Sequence, residues 1–130
     1  MEWNFHNEAP IYAQLMERIE GLIVSGKLKP GEKLPSVRAF AQEAGVNPNT
    51  MQKALTELER GGLIYSQRTA GHFVTDRAET IAAARTQLAR SRSAEYLRDM
   101  AALGYSPEQT GSLLQGLLSG AEESKRGGEM

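Results

Sequence analysis

The chain predicts an α+β fold that is mainly α: three short helices closed by a β-hairpin, then a C-terminal segment of two more helices. Apolar residues recur at three- and four-residue spacing in five stretches, the mark of amphipathic helices. Gly and Pro punctuate the first half at short intervals, which keeps its helices short. Two β-rich runs, Leu63-Ile64-Tyr65 and His72-Phe73-Val74, stand either side of a turn-forming stretch from Ser66 to Gly71. At 130 residues, 40% hydrophobic and 24% charged, the chain has the composition of a folded domain and too little length for a second, large catalytic one.

The first helix is expected over residues 11–26, where Ile11, Leu15, Ile19, Leu22 and Ile23 share a face. Gly26, Pro30 and Gly31 break it, and Lys33-Leu34-Pro35 can only be extended. Ser36 then caps a second helix carrying Val37, Phe40, Ala41 and Ala44, which Gly45 ends. Asn47 caps a third, with Pro48 at its first position, running to about Arg60 before Gly61-Gly62. Its apolar residues are Met51, Ala54, Leu55 and Leu58. The opposite face carries Asn49, Gln52, Lys53 and Thr56. From Asp76 to Leu103 there is neither Gly nor Pro, so one long helix is expected. Ser106-Pro107-Glu108-Gln109 is a capping box that opens the last helix.

These elements set the expected boundaries: an N-terminal arm over residues 1–9, a first domain over 10–76, a helical segment over 77–119 and a frayed tail over 120–130. Apolar runs reach only four residues, against the ~20 a membrane helix needs, and the N-terminus has no secretion-signal pattern. A cytoplasmic protein is expected. The chain has no cysteine and only two histidines, His6 and His72, so disulfides, thiolate catalysis and common zinc sites are not expected, and no metal or other cofactor is assigned. No nucleophile–base pair or paired carboxylate is visible, which argues against an enzyme.

Net charge is −1, which gives no overall attraction to phosphate. Between residues 33 and 72, however, Lys33, Arg38, Lys53, Arg60 and Arg68 outnumber Glu43, Glu57 and Glu59. Two short helices joined by a tight glycine turn, the second with a polar outer face and followed by a hairpin, make a winged helix-turn-helix pattern. Such a helix fits the DNA major groove, where Asn, Gln and Thr pair with base edges. A winged helix that binds another protein, without specific DNA binding, is the alternative.

The run Pro10-Ile11-Tyr12 with Gln14, then Ile23, Ser25-Gly26, Leu28-Lys29-Pro30-Gly31, Leu34-Pro35-Ser36-Val37-Arg38, Gly45-Val46-Asn47-Pro48-Asn49-Thr50, Ala54, Leu58-Glu59 and Gly62-Leu63-Ile64-Tyr65 closely resembles the GntR family of bacterial transcription regulators over about residues 9–76. The Asn-Pro-Asn-Thr helix start and the short helical tail resemble its YtrA subfamily, mostly homodimeric repressors, often of transporter operons. The resemblance implies double-stranded DNA contacts by Ser36, Arg38, Asn47, Asn49, Thr50, Gln52 and Lys53. Within that set Asn49 and Gln52 read bases, Thr50 and Lys53 meet phosphates, and Ser36 caps its helix while offering the helix amide end to a phosphate. At the wing, Gln67-Arg68-Thr69-Ala70-Gly71-His72 departs from the family's more basic, glycine-richer tip. Arg68 and Gly71 keep a wing contact possible, with His72 a further candidate.

For the tail, Ile81, Leu88, Tyr96, Met100, Leu103, Leu113, Leu114, Leu117 and Leu118 form an apolar excess that predicts a homodimer on a palindromic operator. Two helices cannot enclose a pocket of the usual ~300–1,000 Å³, so a small-molecule effector, which the sequence does not identify, is expected only between subunits or against the first domain.

Overall fold

The computed structural model describes the backbone of residues 1–127, with side chains up to Ala121. The chain forms two compact units, Met1–Leu88 and Ala89–Met130.

In the first unit, α1 (Ile11–Val24), α2 (Val37–Ala44) and α3 (Pro48–Arg60) pack around a core that includes Leu15, Ile19, Leu22, Phe40, Met51 and Leu55. β1 (Ile64–Gln67) and β2 (Gly71–Val74) form an antiparallel hairpin in which Ile64 faces Val74 and Gln67 faces Gly71. Residues 31–34 line the other edge of β2: Lys33 pairs with Phe73, the Leu34 amide donates to the His72 carbonyl at 2.9 Å and the Val74 amide to that of Glu32 at 2.9 Å. Ile64, Val74 and Leu34 turn one face of this small sheet into the core, while Tyr65 and Phe73 stack on the other with centroids 5.5 Å apart.

Local chemistry sets the helix ends. The Ser36 hydroxyl accepts the Ala39 amide at 3.2 Å, and the Asn47 carboxamide oxygen accepts that of Asn49 at 2.8 Å. Gly45 ends α2 in the left-handed region at φ 72°, which lets the Val46 amide reach back to the Ala41 carbonyl at 3.0 Å. The turn onto α3 is therefore fixed by residues within a few positions of each other.

The arm is not loose. Gln14 holds it by three hydrogen bonds: it accepts the His6 amide at 2.9 Å and donates to the His6 and Ala9 carbonyls at 2.8 Å each. Trp3 and Phe5 pack on the core, and Trp3 meets Phe40 edge-on with centroids 5.7 Å apart. The Trp3 indole N–H is buried and has no hydrogen-bond partner among the described residues.

The long helix α4 runs Ala78–Ala102, two residues later at its start than the spacing predicts, because Thr75 is buried in the extended segment after β2 and its hydroxyl accepts the Arg77 amide at 3.2 Å. Ile81 belongs to the first unit's core, with Ala84 and Leu88 packed against it, and Arg85 Nε donates to the Val24 carbonyl at the end of α1 at 3.0 Å. Ile81 and Leu88, expected at an interface, pack here against the core of their own winged unit, Ile81 buried and Leu88 half-buried.

In the second unit α4 ends at Ala102, Gly104 turns the chain at φ 94°, and α5 spans Pro107–Gly127. The capping box forms in both directions, Ser106 amide to Gln109 Oε1 at 2.8 Å and Gln109 amide to the Ser106 hydroxyl at 3.1 Å. Met100 and Thr110 are buried. The helix runs on past Gly120, where a frayed tail is expected, because Ala121-Glu122-Glu123-Ser124-Lys125-Arg126 consists mostly of strong helix formers. Residues 128–130 of that tail lie outside the described residues.

Candidate nucleic-acid interface

The first turns of α3 present the expected residues outward. Asn47, Asn49, Gln52 and Lys53 are exposed and Thr50 is half-buried, while Met51, Ala54, Leu55 and Leu58 hold the opposite side of the helix in the core. A polar row is thereby carried on a rigid support. Three of its members are tied down. Asn47 uses its oxygen on the cap. Gln52 donates to the Thr56 hydroxyl at 3.3 Å, and that hydroxyl donates back to the Gln52 carbonyl at 2.8 Å. Lys53 sets its ammonium 3.9 Å above the Tyr12 ring centre, a cation–π contact.

Ile11, Tyr12, Asn49, Thr50 and Lys53 line one open depression of about 340 Å³ between the beginnings of α1 and α3. Tyr12 and Thr56 join the expected contact residues here, Thr56 from the polar face that spacing predicts and Tyr12 from outside it. Tyr12 faces Lys53 from a different helix, which no linear pattern reveals. Thr56 follows Gln52 by one helical turn, and that i,i+4 spacing is its signal.

On α2, Ser36 serves as a cap, and Arg38 is exposed without an ion-pair partner among the described residues. Arg68 stands exposed on the hairpin turn, which the Ala70 amide closes onto the Gln67 carbonyl at 3.0 Å. Gly71 adopts φ 101°, a conformation side chains rarely take. His72 is half-buried on β2, opposite Ser66. Arg38 and Arg68 are thus exposed and without an ion pair among the described residues, and the first half of α3 offers a polar face with Lys53 as its one cation, a set of side chains suited to phosphates and base edges. Among the described residues no group of three His, Cys, Asp or Glu is placed to hold a metal ion, and no helix is long and apolar enough to cross a membrane.

Three helices with a glycine-pinned turn before the third, and a hairpin whose far edge is lined by the α1–α2 connection, define a winged helix-turn-helix protein. The chain belongs to the GntR family of transcriptional regulators: the model described as bacterial regulatory proteins, gntR family, matches residues 11–74. It is 35% identical over 117 residues to the uncharacterized HTH-type transcriptional regulator YhcF of Bacillus subtilis (strain 168), covering 90% of this chain and 94% of the relative. To the HTH-type transcriptional repressor YtrA of the same organism it is 43% identical over 74 residues, 57% of each chain. A solved GntR family transcriptional regulator from Listeria monocytogenes superposes with a TM-score of 0.77 at 32% identity, covering 86% of this chain and 98% of that one. The AraR DNA-binding domain, solved in complex with operator ORX1, matches with a TM-score of 0.53 at 35% identity, covering 58% of this chain and 96% of that one.

Proposed function

We propose that this regulator is a cytoplasmic homodimer that binds a palindromic operator and represses its own operon or one encoding a transporter. The observation that carries the reading is the exposed, almost uncharged first half of α3, braced by Thr56 and Tyr12. In it Asn49 and Gln52 read bases, Thr50 and Lys53 meet phosphates, Arg38 contacts a base or a phosphate, and Arg68, Gly71 and His72 form the wing's contact. The relative named a repressor and the operator complex of the AraR domain support it by similarity.

The dimer reading rests on the second unit. Leu103, Leu117 and Leu118 are 74%, 61% and 64% exposed, and Tyr96, Leu97, Leu113 and Leu114 are also open to solvent. Tyr96, Leu97 and Leu114, with Arg92 and Ser93, line an open apolar cleft of about 530 Å³. Exposed aliphatic surface of this extent on one helical pair is the kind a second copy covers. Fluorescence anisotropy on DNA from the chain's own upstream region, against random DNA at equal salt, tests the function. Preference for the upstream DNA that competitor does not abolish is expected; equal affinity for both sequences overturns specific binding.

A further inference from the structure

We propose that Lys33, which lies outside the helix-turn-helix and the hairpin, is a phosphate contact of the wing. The hairpin tip itself holds a single permanent cation, Arg68. Lys33 sits on the neighbouring edge, paired with Phe73. From there its side chain runs along β2 toward the tip: its Cε lies 3.6 Å from where a Cβ on residue 71 would stand. Residue 71 is two positions nearer the tip than Lys33's own partner and is the first after the turn. The diagonal neighbour across a pair of strands is within reach of a long side chain, and the four-carbon stem of lysine gives its ammonium that freedom. Gly71 itself adopts φ 101°, where a side chain is strained, so the stem of Lys33 passes a bare backbone position.

The charge arrives unengaged. Lys33 is exposed and has no ion pair among the described residues, in contrast to Lys53, which is held over Tyr12. A second cation is therefore brought beside the tip by a residue distant in sequence. One added phosphate contact matters in a chain of net charge −1, because each neutralised phosphate releases counterion and steepens salt dependence by about 0.9 in the log–log slope.

The inference rests on the DNA-binding reading, and the test separates the two. The full chain is titrated onto a random duplex of about 30 base pairs by anisotropy at several salt concentrations. Lys33→Ala is expected to lower the slope by about 1 and the affinity roughly 5–10-fold near 0.1 M salt. Lys33→Arg keeps both, and Lys29→Ala, which removes an equal charge from an exposed position in the same connection, leaves the slope as it was. An unchanged slope in Lys33→Ala, or an equal drop in Lys29→Ala, overturns the assignment while leaving DNA binding intact. A parent chain with no salt-dependent affinity for duplex overturns the DNA-binding reading and the assignment with it.

Discussion

Asn49 and Gln52 project from a helix whose far side is fixed in the core, so their side chains, not the backbone, carry any discrimination between bases. Substituting either by Ala is expected to reduce preference for operator over random DNA by about 1–3 kcal/mol, the worth of a good bidentate pair, whereas Arg38→Ala weakens both DNAs alike. Competition anisotropy on paired duplexes reads the difference. Thr56→Ala frees the Gln52 carboxamide and should cost a smaller part of the same preference. Gly45 offers a separate test of backbone strain. No heavy atom lies within 4 Å of where its Cβ would stand, so Gly45→Ala meets no clash and registers only the left-handed φ of 72°. A loss of about 1–2 kcal/mol is expected, seen as a lower urea midpoint at unchanged slope. Ser36, Gly45 and Asn47 are legible in the sequence because each acts within four residues of itself. The Tyr12–Lys53 contact is not, because it joins two helices through space.

Among the elements, α4 shows where spacing misleads. Its apolar residues lie near one stripe, and a stripe cannot say which partner covers which part. Ile81, Ala84 and Leu88 close the winged unit, and Arg85 holds the last carbonyl of α1. A fragment of residues 1–88 is therefore expected to be more stable than one of residues 1–76 by several kcal/mol, given ~1.5–3 kcal/mol for each large apolar side chain fully buried. Urea unfolding of the two fragments checks this, and equal midpoints would show α4 irrelevant to the core. The hairpin was read correctly in kind, but its strands extend to Gln67 and begin at Gly71, closer to the tip than the β-rich runs suggest. Backbone pairing across a short turn draws in Ser66 and Gln67, residues with little strand preference of their own.

At the scale of the whole molecule, the proposed dimer compensates for a nearly neutral chain with a small contact face. Tethering two such faces makes the second binding event intramolecular, a gain of about 100-fold or more. Residues 1–88 alone are expected to run as a monomer in light scattering and to bind operator at least ~100-fold more weakly than the full chain. Leu117→Glu together with Leu118→Glu should likewise give a monomer, since both side chains are already exposed and their change leaves the winged unit's unfolding untouched. A dimer in either case would place the assembly surface elsewhere. The docked arm adds a property of a different kind. Trp3 is the chain's one tryptophan, its ring against Phe40 and its indole N–H shut away from water. The protein thus carries its own optical probe: emission should be blue-shifted in the native state, move to the red as the arm lifts or the winged unit melts, and stay silent to events in the last helix.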